Sequence, residues 1–282
     1  MPSWSALPLV KPVLEARLRD LKASFPEYVE VFKHRGPFSE PQLQVHLEAL
    51  NERAAFPSAA EAVSNSGFAD AVREVLRHWG VGTRGAELLP VESFRAELRK
   101  LAPKLIGLEQ LQIDDLAVDA REVASAVWDL IDSMCLVTKG GKPVKNKVVS
   151  GTKALHHVFP TLVFPADREY TQTFFGWRNP EFQNNPRDCF MVMFLALSEL
   201  AKVIKPAHFV GEGWMSSPAK ILDNAIIGYC VKHELKSEST LYQQKKRVYY
   251  QSLKKRAKEL GIWDSIEAEI NEKVALKSRV GG

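Results

Sequence analysis

The chain has 282 residues, enough for one large domain or two small ones, and its 45% hydrophobic and 26% charged residues are ordinary for a globular protein. Its net charge of +4 is a mild bias toward polyanions, and its three widely spaced cysteines exclude a disulfide framework or a cysteine-built zinc site and favour a reducing cytoplasm. No apolar run is long enough to span a bilayer, and the N-terminus lacks a secretory signal pattern, so we expect no membrane partner.

The first 118 residues predict a helical region built from short amphipathic segments. Prolines separate these segments, since a proline ends or begins a helix because it lacks a backbone N–H. The separating prolines are Pro26, Pro37, Pro57 and Pro90. We therefore treat residues 1–118 as an N-terminal helical region.

Residues 119–236 predict a helical core. Asp119 is a plausible cap before an apolar stripe at helical spacing, which comprises Val123, Val127, Leu130, Ile131 and Met134. Residues 188–204 are apolar on nearly all sides and predict a central buried helix, and residues 218–235 predict another that begins at a Ser-Pro pair. Only "KVV" and "TLVF" resemble strands, so the predicted fold class is all-α, a multi-helix globular fold.

Two basic segments contain no acidic residue. Residues 139–153 include Lys142, Lys145 and Lys147, and residues 245–258 include Lys245, Lys246 and Arg247. Such segments are either solvated faces or contacts to a phosphate backbone. The second segment predicts a basic C-terminal helical extension over residues 237–282. Its tyrosines could stack on bases, or they could pack this helix through a stripe that comprises Tyr242, Tyr249, Leu253, Ala257 and Leu260.

A compact unit follows the first basic segment. Ser150, Gly151 and Thr152 predict a tight turn before a helix that starts at about Thr152, and backbone N–H groups at a helix N-terminus are a natural seat for phosphate. Further along, Asp167 follows "FPA" and stands where the N-cap of the next helix belongs. That helix would contain Tyr170 and two phenylalanines.

These residues resemble the helix-hairpin-helix DNA glycosylase superfamily. The stretch "VVSGTKAL" is similar to the family's hairpin, a helix-hairpin-helix-like element, and "FPADREY" is similar to the segment that carries its catalytic aspartate. The resemblance covers about thirty residues. Only one hairpin glycine is present, and Lys153 lies closer to Asp167 than the family pattern has it. No four-cysteine cluster follows, so the iron–sulfur branch of the family is not indicated.

The resemblance implies a hydrolase that cleaves the bond between a flipped-out base and its sugar. Asp167 would be the catalytic carboxylate that stabilises the sugar cation and orients water. Lys153 would either form a Schiff base with the sugar or only hold phosphate, and the altered spacing favours phosphate. Tyr170, Trp177 and Trp214 would be pocket or wedge residues. No cofactor and no metal are implied.

Each assignment has a purely structural alternative. In that alternative Asp167 is only a cap, Lys153 is a surface cation, and the tryptophans are core residues, as buried tryptophans most often are. His156 and His157 are adjacent and point in different directions on a helix, so they predict one packed and one exposed side chain rather than a metal site.

The substrate implied by the resemblance is a modified base in double-stranded DNA. Some members of the family remove sugar-decorated cytosines from viral DNA, which would place the chain in phage defence. Two other functions stay open from the sequence. One is a non-catalytic helical module that binds DNA or RNA, and the other is a helical interaction protein with an acidic partner.

Overall fold

The computed structural model describes residues 7, 9–83, 85–116, 119–261 and 263–267, except for the side chains of Ser239 and Lys246. It is 67% helix and 4% strand, which confirms the predicted all-α class. The chain divides into two compact units, residues 1–236 and 237–282. The regions 1–118 and 119–236, separated in the sequence analysis, belong to the first unit.

The first unit contains the following helices: α1 Pro12–Ala23, α2 Phe25–Arg35, α3 Glu40–Ala54, α4 Ala59–Ser64, α5 Ser66–His78, α6 Val91–Arg99, α7 Ala120–Ser133, α8 Val148–Val158, α9 Thr171–Phe174, α10 Asn179–Asn184, α11 Pro186–Ile204 and α12 Pro218–Lys232. Short 3-10 turns lie at Ala102–Lys104, Pro206–Phe209 and Gly213–Met215. The second unit contains α13, Glu238–Glu259.

A small antiparallel sheet joins β1 (Glu87–Leu88), β2 (Val137–Lys139) and β3 (Lys142–Pro143) in that order. Its register pairs Leu88 with Val137 and Lys139 with Lys142. Neither "KVV" nor "TLVF" is a strand. The first begins at the residue before α8 and runs into it, and the second lies in the turn and loop that follow α8.

The helices predicted after Asp119, over residues 188–204 and over residues 218–235 are confirmed, whereas the helix predicted to contain Tyr170 is a single turn, Thr171–Phe174, that begins after it. Asp119 caps α7 by accepting the backbone N–H groups of Arg121 and Glu122. Helix α11 covers the predicted segment 188–204, and most of its side chains are buried. Ser217 caps α12 by accepting the N–H of Lys220. Caps and apolar periodicity are local signals, which is why the sequence revealed these helices.

The core of the first unit is centred on α11 and α12. Helix α12 packs against α2 so closely that a Cβ at Gly228 would collide with the backbone of Tyr28. Cys189 in α11 and Cys230 in α12 are both buried. Burial raises the pKa of the Cys189 thiol to about 12 and raises that of Cys230 as well, so both thiols stay protonated at neutral pH.

Candidate functional site

The predicted hairpin turn at Ser150–Gly151–Thr152 is wrong. All three residues lie inside α8, which begins at Val148, and the N–H of Gly151 donates to the carbonyl of Lys147 as in any helix. A Cβ at Gly151 would lie 2.8 Å from Cγ2 of Ile131. This glycine therefore allows α7 and α8 to approach closely, and it does not open a phosphate-binding turn.

Thr152 links α8 to the segment that carries Asp167. Its hydroxyl donates to the carbonyl of Val148 at 2.7 Å and accepts the N–H of Ala166 at 3.0 Å, across 14 residues of chain. The side chain is fully buried. The residue before Lys153 and the residue before Asp167 are thus joined directly.

The sequence placed Asp167 at the N-cap of the next helix. In the structure that N-cap residue is Tyr170, and Asp167 instead caps the turn before it. Its Oδ1 accepts the backbone N–H groups of Tyr170 at 2.6 Å and Thr171 at 3.2 Å, and its own N–H donates to the Thr171 hydroxyl. The cap stabilises the turn that leads into α9, which begins at Thr171 and is only one turn long. Within the described residues, Oδ2 of Asp167 has no hydrogen bond, so one carboxylate oxygen is available to a ligand.

Lys153 is buried, which corrects the expectation of a surface cation. Its Nζ donates to the carbonyl of Trp79 at 2.9 Å and lies 5.7 Å from the centre of the Trp79 ring. Burial lowers the pKa of Lys153, and the charges of Asp167 and Asp223 oppose that shift. A lysine in this position is poorly placed to bind a DNA phosphate, whereas a lowered pKa suits an amine that reacts in its neutral form.

A buried ion pair lies near the start of α12. Nζ of Lys220 is 2.6 Å from Oδ2 of Asp223, and the two side chains are 1% and 4% exposed. Four aromatic rings surround the ammonium group at 5.1 to 5.6 Å from its nitrogen, those of Phe32, Phe38, Trp79 and Trp214. The sequence analysis missed this pair. Its signal was two charges, three residues apart, in the otherwise apolar run "PAKILDNAIIGY".

The surroundings of Asp223 make it an unusual carboxyl. Burial raises its pKa to about 6, and the nearby charge of Lys220 limits that rise. Its Oδ1 is buried and has no hydrogen-bond partner, and the same holds for Oδ1 of the adjacent Asn224. Asp167 and Lys153 also influence this carboxyl electrostatically. Lys153, Asp167, Lys220 and Asp223 therefore influence one another electrostatically, and shifted pKa values like those of Lys153 and Asp223 are typical of functional sites.

The prediction that one of His156 and His157 is exposed is wrong, because both are fully buried. They lie beside a third buried histidine, His46 of α3, whose ring stacks on those of His156 and Trp214. Nδ1 of His46 lies 2.9 Å from Nε2 of His157, within hydrogen-bond distance. Burial lowers the pKa of all three, to about 4 for His157, so the cluster is neutral at neutral pH.

The three predicted pocket residues occupy different environments. Trp177 is buried and its Nε1 donates to the carbonyl of Leu9, so it is a core residue. Tyr170 is half-buried at the Asp167 turn. Trp214 is half-buried and forms, with Phe32 and Phe38, one wall of a cleft of about 310 Å³. The rings of Phe32, Phe38 and Trp214 are also three of the four that surround the ammonium group of Lys220.

The first basic segment is mostly exposed. Lys142 and Lys145 face solvent, and Lys147 is half-buried, bonded to the backbone carbonyl of Asp132 and 3.8 Å from its carboxylate. The amine of Lys147 therefore already has partners within the protein. Lys142 and Lys145 keep the exposure that a phosphate contact requires.

Helix α13 has exposed cations and exposed tyrosines. Lys245 and Arg247 are exposed, whereas the side chain of Lys246 lies outside the described part of the structure. Tyr242, Tyr249 and Tyr250 are 63%, 60% and 56% exposed, and Leu253 and Leu260 of the predicted packing stripe are exposed too. Only Ala257 of that stripe is buried.

No protein-family model, no curated protein and no solved structure matches this chain. None of the helices in the described residues is both long and apolar enough to cross a bilayer. Over the same residues, no group of three or more histidine, cysteine, aspartate or glutamate side chains is arranged to hold a metal ion.

Proposed function

We propose that the chain is a DNA glycosylase that hydrolyses the N-glycosidic bond of a flipped-out modified base. The observation that supports this best is the buried bond from Ala166 to Thr152, which brings the reactive residues Asp167 and Lys153 to neighbouring positions. The pairing of a lysine with an aspartate on consecutive segments is what the resemblance to helix-hairpin-helix glycosylases implies. The bond supplies a physical means of holding them together.

The Asp167 carboxylate has the features that this reaction needs. Two backbone N–H groups fix Oδ1, which leaves Oδ2 free to face a sugar or an attacking water. As the bond to the base breaks, its electron pair leaves with the base and positive charge builds on the sugar. A fixed carboxylate stabilises that charge and takes a proton from the water that attacks C1′.

Lys153 provides a second route to the same product. A buried amine with a lowered pKa has a larger neutral fraction, which can attack C1′ as the base leaves with the electron pair of its bond. Loss of the amine proton and opening of the sugar ring then give a Schiff base, which water hydrolyses to the abasic sugar and the free amine. This assignment revises the phosphate-binding role expected from the sequence. Because Lys153 is buried and its amine bonds to the carbonyl of Trp79, the covalent route requires this side chain to leave that contact and become accessible.

The proposal is tested with duplex DNA that carries either ordinary or glucosylated cytosine, followed by an aldehyde-reactive probe for abasic sites. Asp167→Asn keeps the cap because asparagine caps about as well as aspartate. Loss of the charge should reduce abasic-site formation roughly a hundred- to a thousand-fold. Glu169→Gln removes an acid from the same turn and should leave the rate unchanged.

Two outcomes would contradict the proposal. One is a folded parent protein that forms no abasic sites on either DNA, and the other is an Asn variant as active as the parent. Trapping with borohydride separates the two routes. A covalent DNA adduct that disappears in Lys153→Arg supports the amine route, whereas abasic sites without an adduct support direct hydrolysis.

A second candidate function is a non-catalytic module that binds nucleic acid. The observation that favours it is α13, where exposed tyrosines alternate with exposed cations in the pattern used for single strands and phosphates. Such a module would bind DNA with a steep salt dependence and form no abasic sites. An interaction protein with an acidic partner would neither bind DNA with this salt dependence nor form abasic sites.

A further inference from the structure

Ser216, His46 and His157 form a row of hydrogen bonds that the proposed glycosylase reaction does not use. Oγ of Ser216 lies 2.8 Å from Nε2 of His46, and Nδ1 of His46 lies 2.9 Å from Nε2 of His157. Nδ1 of His157 lies 2.8 Å from the backbone carbonyl oxygen of Lys153. The row therefore ends on a group that can only accept a hydrogen bond.

That carbonyl determines the position of every proton in the row. Nδ1 of His157 must carry a hydrogen, so in the neutral ring Nε2 is the acceptor. His46 then donates from Nδ1, which leaves its Nε2 with a free electron pair. The Ser216 hydroxyl consequently donates to His46. This is the order of nucleophile, base and orienting group found in nucleophilic catalysis.

We propose that Ser216 is the nucleophile of a second active site that transfers acyl groups from activated esters or thioesters, with His46 as general base and His157 as its positioning residue. The three side chains come from α3, α8 and the turn before α12, so their convergence depends on the tertiary fold. Ser216 is half-buried, and it lines a cleft of about 340 Å³ that also contains Arg53 and Phe159.

The cleft indicates the kind of acyl donor. Leu50, Phe159 and Pro160 provide an apolar wall. Arg53 bonds through Nε to the carbonyl of Val158 and through Nη1 to that of Phe56. Within the described residues its Nη2 has no hydrogen bond, so it can donate to a polar group of a ligand, while the Glu109 carboxylate in the same lining interacts electrostatically with this guanidinium. The volume and the lining suit a small apolar acyl donor with one polar end that accepts hydrogen bonds.

The reaction balances without a cofactor. Ser216 Oγ forms a bond to the carbonyl carbon while its proton moves to Nε2 of His46. The C–O or C–S bond then breaks, and the leaving alcohol or thiol takes that proton. Water repeats the sequence and releases the acid. The N-terminus of α12 follows two residues after Ser216, and its dipole favours the negative charge on the tetrahedral intermediate.

The requirement for an activated substrate follows from the surroundings of His46. Burial, His157 and His156 lower its pKa, so the ring is neutral and ready to accept at neutral pH. The same surroundings make it a weak base. It therefore activates Ser216 only modestly, and an electrophilic carbonyl with a good leaving group is needed.

The test uses the full chain and a fluorophosphonate probe, whose phosphorus forms a bond to an activated serine as fluoride leaves. Peptide mapping of the folded protein should locate the adduct on Ser216, and protein denatured beforehand should not react. Hydrolysis of p-nitrophenyl butyrate should accompany labelling. Ser216→Ala should abolish both.

Two adjacent histidines provide a matched pair of variants. His157→Phe removes the positioning bond to His46 and should slow labelling about a hundredfold or more. His156→Phe also removes a fully buried ring of α8, one that bonds to the carbonyl of Val163 and lies outside the row. Because His156 stacks on His46 and lowers its pKa, this variant should change the labelling rate, but by far less than the loss of the bond between His157 and His46. Thermal unfolding of each variant shows whether it is folded.

The assignment is overturned if the folded parent carries no adduct on Ser216, or if ester hydrolysis persists in Ser216→Ala. It is equally overturned if the two phenylalanine variants, both folded, label at the same rate. None of these results depends on abasic-site formation. Failure of the Ser216 assignment would therefore not count against the glycosylase proposal, which the abasic-site assay tests separately.

Discussion

Helices α12 and α13 both carry lysines, and they place them in opposite surroundings. Lys220 of α12 is buried among aromatic rings and paired with Asp223, whereas Lys245 and Arg247 of α13 face solvent. In α12 the charges interrupt an apolar run, while in α13 they belong to a polar one. The comparison shows that the sequence around a lysine is more informative than the number of lysines. A lysine in an apolar run indicates a buried charge, and a lysine in a polar run indicates an exposed one.

Removal of the Lys220 ammonium should have the largest effect on stability. Lys220→Ala leaves Asp223 buried without its partner, which should lower the free energy of unfolding by about 3–5 kcal/mol. Lys245→Ala should change it by less than about 0.5 kcal/mol, as for other exposed positions. Urea denaturation of both variants measures the contrast, and equal losses would remove the distinction between the helices.

The double variant Lys220→Met with Asp223→Leu sharpens that contrast. It replaces the pair by apolar side chains of similar size, which in buried pairs is often neutral or stabilising by about 1–4 kcal/mol. A double variant as unstable as Lys220→Ala would show that the aromatic surroundings depend on the charge itself. Full stability with lost activity would instead show that the pair serves function.

The buried groups should also make stability depend on pH, which exposed lysines like those of α13 cannot do near neutrality. Burial lowers the pKa of His157 from 6.5 to about 4, so its contribution is present above 6.5 and is lost as the pH falls toward 4. His46 and His156 shift in the same direction. Each such histidine contributes about 1.4 kcal/mol per unit of pKa shift.

Asp223 opposes this trend. Its pKa is raised from 3.8 to about 6, so its contribution is present below 3.8 and is lost as the pH rises through 6. Because three histidines outweigh one carboxyl, we expect the free energy of unfolding to increase from about pH 4 to about pH 6.5. Urea midpoints at intervals across this range test the balance, and a flat or falling profile would contradict the burial of the histidines.

Gly151→Ala tests the close packing of α8, for which α13 provides the control. The added Cβ would meet Ile131, so crowding should cost about 1–3 kcal/mol against a gain of about 1 kcal/mol in helix propensity. Ser252→Ala in the exposed α13 meets no such neighbour and should be neutral within about 0.5 kcal/mol. Thermal unfolding distinguishes them. A stabilised Gly151→Ala would show that α7 and α8 do not need a glycine at this position to pack together.

The smallest effect on stability is expected from α13 itself. Replacement of Lys245 and Arg247 by glutamine should leave the unfolding midpoint unchanged and reduce the salt slope of DNA binding by about two units, one per lost phosphate contact. Lys202→Gln with Lys232→Gln removes the same charge from the first unit and serves as the control. An unchanged slope in the α13 variant would mean that its cations face solvent and do not contact phosphates.

The sequence was sufficient to predict the features that depend on neighbouring residues alone. The cap at Asp119, the apolar run of α11 and the Ser-Pro start of α12 need only neighbouring residues, and so does the cap at Asp167. The burial of Lys153 depends on Trp79, which lies 74 residues away, and the partner of His157 lies 111 residues away. Gly151 was misinterpreted because a glycine required by a neighbouring helix looks the same in sequence as one required by a turn.

The buried thiol of Cys230 makes the opening of the candidate site measurable as a rate. Its Sγ lies 3.6 Å from the carbonyl oxygen of Tyr170, beside the turn that Asp167 caps. A thiol reagent can reach it only while the packing of that turn against α12 is broken. The half-buried Cys135 serves as an internal reference. The kinetics of modification therefore report how often the folded protein opens the turn that holds the Asp167 carboxylate, without any knowledge of the substrate.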